Sequence, residues 1–133
     1  MNFSKNLSAL FLLFSLVVLS CQSNAQKGID LNPIEFKAGI DKESNAVILD
    51  VRTPEEVAQG IIPGAKVINF HDANFKEQIG ELDKTKTYYV YCKGGGRSGK
   101  TCSALQGAGF PKTYNLKGGI TAWKKQGLPT SQQ

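Results

Sequence analysis

Apolar runs and capped, partly polar stretches alternate along the chain after residue 31. Residues 46–49 and 87–91 are mostly apolar or aromatic, which is typical of strands buried on both faces of a parallel sheet. Residues 32–35 (Asn-Pro-Ile-Glu) and 53–56 (Thr-Pro-Glu-Glu) each combine an N-cap residue, a proline and a capping glutamate, and this pattern predicts a helix start. We predict strands at 46–49, 66–70 and 87–91, an edge strand at 112–115, and helices at 33–39, 54–59, 71–82, 98–108 and 120–126.

Strands that alternate with helices in so short a chain predict a single α/β domain, with a mainly parallel central sheet and helices on both of its faces. Of the 133 residues, about 113 remain once a leader of about twenty is set aside, enough for one core and too few for a two-domain enzyme. With 41% hydrophobic and 20% charged residues, the composition excludes a disordered chain and a polytopic membrane protein. We place the domain at 32–130, after a linker at 21–31.

The apolar stretch at 7–19, preceded by Lys5 and interrupted by only two serines, predicts a signal sequence at 1–20. Thirteen helical residues extend about 20 Å, well short of the ~30 Å hydrocarbon core of a bilayer, which disfavours a permanent membrane span. A buried N-terminal helix of the domain is the alternative.

The end of this leader allows two cleavage routes. Residues 18–21 (Val-Leu-Ser-Cys) are similar to the lipobox of bacterial lipoproteins, in which the cysteine, here Cys21, is acylated and becomes the new N-terminus. Residues 23–25 (Ser-Asn-Ala) have the small-x-small pattern of ordinary secretory cleavage, which would extend the signal peptide to 25 and release a soluble protein. We favour the first route, and expect an exported, periplasmic protein anchored to a bacterial membrane through Cys21.

Basic residues are concentrated in the second half of the chain. Residues 21–83 hold 6 Lys or Arg and 11 Asp or Glu, whereas residues 84–133 hold 9 basic residues and no acidic residue. A half-domain with this balance attracts anions. The basic residues are not interleaved with aromatic ones, so we expect small anions as partners and not nucleic acid.

The strongest candidate site is the loop at 92–98 (Cys-Lys-Gly-Gly-Gly-Arg-Ser), between a predicted buried strand and a helix. In α/β sheets, ligands bind beyond the carboxyl ends of the strands. The glycines allow successive backbone N–H groups to point inward, and the helix N-terminus adds partial positive charge. Such an anion cradle, with Lys93 and Arg97 beside it, lowers the pKa of a thiol. Cys92 is therefore the candidate nucleophile, and a small buried cysteine at a strand end is the alternative.

The same segment also matches the P-loop pattern G-x-x-x-x-G-K-[ST], at 94–101. Nucleotide hydrolysis needs a carboxylate for Mg²⁺, usually on a later strand, and no acidic residue follows Asp83. Only 32 residues follow Thr101, too few for the rest of a nucleotide-hydrolysing core, and an exported protein has no access to cytosolic ATP. Nucleotide binding is therefore the weaker interpretation of this loop.

Three separated motifs resemble the rhodanese-like sulfurtransferases over residues 32–129. The active loop C-x-x-G-x-R-S of that family is matched at 92–98, and its C-terminal motif G-G-x-x-x-W…G-x-P at 118–123 and 127–129. Its segment D-x-R-x-x-x-E…G-H-I-P-G-A…N is matched by Asp50, Arg52, Glu56, residues 60–65 and Asn69, with Ile61 in place of the usual histidine. We expect Ile61 to affect the packing of the turn more than the chemistry.

The resemblance implies a two-step sulfur transfer that uses no cofactor. The Cys92 thiolate attacks the outer sulfur of an anionic donor such as thiosulfate, sulfite leaves, and the Cys92 persulfide passes its sulfur to cyanide, a thiol or a protein. Four residues separate Cys92 from Arg97, whereas the related cell-cycle phosphatases have five, which favours sulfur over phosphate. The alternative function is a catalytically idle module that binds a partner or senses redox state.

The resemblance also implies roles for the neighbours of Cys92. Lys93 attracts the anionic donor, Arg97 fixes the loop by pairing with Glu56, and Asp50 with Arg52 braces the adjoining strand–helix connection. The backbone N–H groups of the loop hold the persulfide; they belong to Lys93, Gly94, Gly95, Gly96, Arg97 and Ser98.

Other conspicuous residues receive structural interpretations. His71, the only histidine, is expected at the surface or at a helix start, and no metal site is expected. Cys102 is expected to be a buried thiol, neither a resolving cysteine nor half of a disulfide with Cys92. Tyr88, Tyr89 and Tyr91 are expected to pack on the faces of the sheet, and Trp123 in the core.

Overall fold

A parallel sheet of five strands, in the order β1-β5-β4-β2-β3, organises the chain. The computed structural model describes residues 28–133; the predicted signal sequence, Cys21 and most of the predicted linker lie outside them. The strands are β1 (Ile29–Leu31), β2 (Ala46–Asp50), β3 (Lys66–Val67), β4 (Thr87–Tyr91) and β5 (Thr113–Leu116). The helices are α1 (Pro33–Lys42), α2 (Pro54–Val57), α3 (Phe75–Gly80), α4 (Gly96–Gly107) and α5 (Gly119–Lys125).

Two cores cover the two faces of the sheet. On one face, the buried residues of α3 and α4, among them Phe75 and Leu105, pack against Val90 of β4. On the other, Phe36 of α1 and Trp123 of α5 pack with Tyr89 and Tyr91 of β4. Because β4 is the central strand, all five of its side chains are buried. The predicted α/β class, with a parallel sheet between helices, is confirmed, as is the burial of Trp123.

Both predicted capping boxes are present. The Asn32 side chain accepts the Glu35 N–H at 3.0 Å while the Glu35 carboxylate accepts the Asn32 N–H at 3.1 Å. Thr53 and Glu56 make the equivalent pair of bonds at 3.4 and 3.0 Å. Reciprocal capping satisfies N–H groups that a helix start leaves open. The second box also fixes the direction of the Glu56 carboxylate.

The first helix does not end at Gly39, as predicted, but continues to Lys42. The glycine at this position serves packing, because a Cβ on Gly39 would lie 2.5 Å from the Tyr89 hydroxyl oxygen. The absence of a side chain leaves room for the Tyr89 ring under the helix, and this ring stands edge-on to Phe36.

The chain between β2 and β4 is less regular than predicted. β3 stops at Val67 and α3 begins at Phe75, where the sequence predicts a strand to 70 and a helix from 71. The intervening turn is held locally, since the Asn69 side chain accepts the His71 N–H at 3.0 Å. His71 lies exposed in this turn.

The predicted edge strand at 112–115 is an interior strand. Residues Ile29–Leu31, part of the predicted linker, form β1 and pair with Tyr114–Leu116 of β5. The sequence does not predict β1 because three residues that include the charged Asp30 carry little strand signal. Its pairing partner also lies far away in the sequence. At the other end, Ile61 is buried and its backbone pairs with Ser131 at 2.8 and 2.9 Å. Within residues 28–133, no helix combines the length and apolarity that a membrane crossing requires.

Candidate active site

The Cys92 sulfur lies at the carboxyl end of β4, inside the loop that leads to α4. The Gly95 N–H donates to Sγ at 3.0 Å and the Ser98 hydroxyl donates to it at 3.3 Å. Gly95 adopts φ +103°, a conformation that costs other residues steric energy, and so curls the loop around the sulfur. Cys92 itself is 1% exposed.

These contacts set the protonation of the thiol. Burial raises the pKa of Cys92. Hydrogen bonding from the Ser98 hydroxyl and from the N–H groups of Ser98, Gly95 and Gly94 lowers the pKa by more than burial raises it, so the pKa lies below that of an ordinary thiol. Donors directed at a sulfur stabilise its anionic form. The cradle therefore favours a thiolate in a position where burial alone would suppress one.

Arg97 and Glu56 form the ion pair that the family resemblance implies. The two guanidinium nitrogens of Arg97 donate to the two carboxylate oxygens of Glu56 at 2.8 and 2.7 Å. The hydrogen bond from Arg97 is the main reason that the pKa of Glu56 falls to about 2. Because Glu56 is also held by the capping box, the pair ties the first turn of α4 to the first turn of α2.

Asp50 and Arg52 lie behind this pair as a buried brace. Arg52 donates to both Asp50 carboxylate oxygens at 2.7–3.1 Å, and to the carbonyls of Glu56 and Gly60 at 3.1 and 2.8 Å. The Tyr91 hydroxyl donates to Asp50 at 2.6 Å. Removing one partner of such a buried pair costs about 3–5 kcal/mol, so these residues hold the β2–α2 connection in place without reaching the sulfur.

The C-terminal glycine motif packs against the back of the active loop. The Ile120 and Thr121 N–H groups, at the start of α5, donate to the carbonyls of Cys92 and Lys93 at 2.9 and 3.2 Å. A Cβ on Gly119 would collide with the Lys93 carbonyl. The sequence resemblance includes this motif but implies no role for it. The structure shows that the motif holds the start of the loop.

The sequence-predicted loop residues are thus brought together, with one distinction among them. Gly95 donates its N–H and Ser98 its hydroxyl to the sulfur, and the N–H groups of Gly94 and Ser98 also lower its pKa. Lys93 is exposed and lines a depression of about 120 Å³ beside the loop; its other lining residues are Arg52, Glu56, Gln59, Ile120, Thr121 and Lys124. Lys124 is a second cation there that sequence analysis did not single out.

The P-loop interpretation does not fit the backbone. α4 begins at Gly96, so most of the segment that would wrap a phosphate is already helical. Thr101, which would bind Mg²⁺ in a P-loop, is buried and donates its hydroxyl hydrogen to the Arg97 carbonyl at 2.8 Å.

The second thiol has a different environment. Cys102 lies in α4, fully buried, and burial raises its pKa to about 12. Cys92 and Cys102 are both free thiols. Cys102 is a buried thiol, as predicted. Across residues 28–133, no group of three or more His, Cys, Asp or Glu side chains is arranged to hold a metal ion.

Comparison with known proteins agrees with this geometry. The model of the rhodanese-like domain family matches residues 32–126. A sulfurtransferase of Allochromatium vinosum is 38% identical over 85 residues, which cover 64% of this chain and 78% of that protein. The putative sulfurtransferase YtwF of Bacillus subtilis is 37% identical over 100 residues, covering 75% and 94%.

The solved structures agree as well. The crystal structure of a rhodanese-like domain protein from Staphylococcus aureus superposes with a TM-score of 0.66 at 31% identity, covering 79% of this chain and 98% of that one. Other matched relatives are longer proteins, of which this chain spans less than a third.

Proposed function

The chain belongs to the rhodanese-like sulfurtransferase family, and from that premise we propose that Cys92 carries sulfane sulfur, as a persulfide, from an anionic donor such as thiosulfate to a thiophilic acceptor. One observation carries the proposal: hydrogen bonds from the Gly95 N–H and the Ser98 hydroxyl converge on the Cys92 sulfur. A binding module has no use for a nucleophile activated in this way.

In the first step, the Cys92 thiolate attacks the outer sulfur of thiosulfate. A new S–S bond forms, the original S–S bond breaks, and sulfite leaves with the bonding electron pair. The terminal sulfur of the persulfide carries negative charge, which loop N–H groups and the start of α4 stabilise. The orienting work is done before the reaction, since the Arg97–Glu56 pair already fixes the loop.

In the second step, a nucleophilic acceptor attacks that terminal sulfur. The S–S bond to Cys92 breaks, its electron pair returns to the Cys92 sulfur, and the thiolate is restored. Cyanide yields thiocyanate in this step, and a thiol yields a new persulfide. Each turnover therefore leaves the protein unchanged and consumes no cofactor.

Two lysines beside the loop suit an anionic donor. Lys93 and Lys124 line the depression beside the loop, and no acidic residue occurs after Asp83. Glu56 also lines the depression, but its charge is paired with Arg97. The remaining excess of positive charge raises the local concentration of an anionic substrate.

A sulfur-transfer cycle tests the proposal. Wild-type protein is mixed with thiosulfate, freed of excess donor, and treated with cyanide, and thiocyanate is measured per protein chain. We expect about one thiocyanate per chain in this single turnover. No sulfur uptake from thiosulfate, in protein shown to be folded, would contradict the proposal and leave the binding or redox-sensing module as the function.

We propose also that the protein is exported and anchored to a membrane as a lipoprotein. The support is the apolar stretch at 7–19 followed by the lipobox-like residues 18–21. In a bacterial host, the full chain should incorporate labelled fatty acid and fractionate with membranes, and Cys21→Ala should abolish both. A mature N-terminus at Gln26 in the soluble fraction would contradict lipidation and favour ordinary secretory cleavage.

A further inference from the structure

Asn115, at the end of β5, joins the edge of the sheet to the active loop. Its Nδ2 group donates to the Asp30 carboxylate of β1 at 2.8 Å and to the Gly95 carbonyl at 3.3 Å. Asn115 is 5% exposed. The three family-like motifs do not include Asn115 or Asp30, and the transfer steps described above do not use them.

Gly95 is the loop residue whose placement matters most for the sulfur. Its N–H donates to Cys92 Sγ at 3.0 Å, and its φ is +103°. Its carbonyl accepts from Gly99 in α4 at 3.1 Å as well as from Asn115. Of these two bonds, the one from Asn115 ties Gly95 to the sheet.

The NH₂ end of the Asn115 carboxamide makes both of its hydrogen bonds, and its Oδ1 atom is buried without a partner among the described residues. The Gly95 carbonyl and the Asp30 carboxylate are both acceptors, so both require the NH₂ end of the side chain. Asp30 therefore fixes the orientation in which Asn115 can hold Gly95.

We propose that Asn115 is a positioning residue for the Cys92 thiolate, acting through the Gly95 carbonyl, and that Asp30 of β1 orients Asn115. This inference rests on the proposed function, because a thiolate at Cys92 is what the positioning serves. It also gives β1 a role: the strand that begins the described chain contributes to the reactivity of a sulfur three strands away in sequence.

The effect of Asn115 must be separated from that of nearby charges. Arg97 of α4 lies next to Cys92 and is neutralised by Glu56 of α2, and Lys93 follows the cysteine directly. Asp30 is the charged residue of β1. Replacing Asp30 by asparagine keeps an acceptor for Asn115 and removes the charge, whereas alanine removes both.

The two side chains can be changed without sealing a void in the core. Asp30 and Asn115 line a depression of about 290 Å³ between β1 and α4, together with Gly99, Lys100 and Ser103. Water can enter the space that a shorter side chain leaves there, which limits the loss of stability.

The test is the pH dependence of Cys92 alkylation by iodoacetamide in the full chain, followed by mass spectrometry of the peptide that contains Cys92. Asn115→Ala should raise the midpoint by about one pH unit, so that alkylation below the midpoint slows about tenfold and recovers at high pH. Asp30→Ala should shift the midpoint in the same direction by about a third as much, and Asp30→Asn should leave it within the error. Thiosulfate turnover should follow the same pH shift.

Thr113→Ala is the matched control. Thr113 is a buried polar residue of β5, two positions before Asn115 and so on the same face, but it does not contact the active loop through a hydrogen bond. The midpoint of Cys92 alkylation in Thr113→Ala should equal that of the wild type.

Unshifted midpoints in folded Asn115→Ala and Asp30→Ala would overturn the inference and leave the proposed function intact. If Asn115→Ala does not fold, an unshifted Asp30→Ala alone overturns it. A wild-type midpoint at the value of an ordinary thiol would overturn the proposed function as well.

Discussion

Cys92 and Cys102 are ten residues apart, both buried and both free, yet their protonation is driven in opposite directions. Cys102 lies within α4, and burial raises its pKa to about 12. Cys92 is also buried, but hydrogen bonds from the loop and Ser98 outweigh that burial and bring its pKa below the ordinary value.

The difference shows that position relative to the start of α4 decides what a buried thiol does. Before the helix, open N–H groups point at the sulfur; inside the helix, the corresponding groups are taken by the backbone. Hydrogen bonds from the loop and from Ser98, and not exposure, lower the pKa of Cys92.

The sharpest way to break the comparison is to replace each thiol. Cys92→Ser should reduce thiocyanate production at least about a thousandfold, because serine cannot form a persulfide. Cys102→Ser should keep turnover within about twofold per folded molecule, since its sulfur does not take part. Steady-state assay of both variants decides: an inactive Cys102→Ser beside an active Cys92→Ser would reverse the assignment.

Glu56→Gln tests the anchoring of the Cys92 loop through stability. The pKa of Glu56 is about 2 in the fold, against 4.5 ordinarily, so its stabilisation is fully present above about pH 5 and is lost as the pH falls towards 2. We expect the variant to unfold with roughly 2–3 kcal/mol less free energy at pH 7 and to lose part of the wild-type decline between pH 5 and 3. Urea denaturation at about pH 7, 5 and 3 measures the free energy of unfolding of the wild type and the variant.

Glu55→Gln is the control for this effect, because Glu55 is an exposed neighbour on the same helix that makes no ion pair within residues 28–133. Its stability curve should follow that of the wild type. Equal curves for both variants would show that the Arg97–Glu56 pair does not stabilise the loop.

Ser98→Ala should make Cys92 more like Cys102. Loss of the hydroxyl donor removes a bond to the thiolate, so the pKa of Cys92 should rise by about one unit and sulfur transfer at pH 6 should fall about tenfold, recovering near pH 9. The rate profile against pH gives the shift. Ser103→Ala, whose hydroxyl donates to the Gly99 carbonyl in the same helix, should keep the wild-type profile; a uniform loss at every pH in Ser98→Ala would indicate misfolding instead.

The smallest expected effect concerns charge around the loop rather than the sulfur. Lys93→Ala should raise the half-saturating thiosulfate concentration about threefold, and added salt should weaken the wild type more than the variant, because screening acts on the same attraction. Lys112 directly precedes the first residue of β5, and Lys112→Ala should change neither the half-saturating concentration nor the salt dependence. Identical salt dependence in wild type and Lys93→Ala would remove Lys93 from donor binding.

The fold elements that the sequence predicts well are those with local signals. The capping boxes at Asn32 and Thr53 and the apolar run of β4 each state their structure within a few residues. The sequence does not predict β1 and predicts β5 at the edge of the sheet, because the pairing of Ile29–Leu31 with β5 is a contact between distant segments. The predicted helix end at Gly39 is wrong because the side chain that requires a glycine there, Tyr89, is also distant in the chain.

The site divides in the same way. Cys92 and its glycine loop are recognisable because strand, loop and helix are adjacent in the chain. Other features of the site depend on contacts of β1, β5 and α5 behind the loop; they are the placement of Asn115 and Asp30 and the packing of Gly119 on Lys93. The sequence near these residues carries no signal for those contacts. Local sequence patterns predict the candidate nucleophile, and the structure shows which distant residues hold its loop.

Mapping the transferred sulfur tests the central claim most directly. Wild-type protein is incubated with thiosulfate at neutral pH, alkylated to trap persulfides, digested, and analysed by mass spectrometry for the peptides of the two thiols. We predict one additional sulfur atom on Cys92 and none on Cys102. Sulfur on Cys102, or equal labelling of the two, would contradict the claim that the cradle between β4 and α4 selects the reactive thiol.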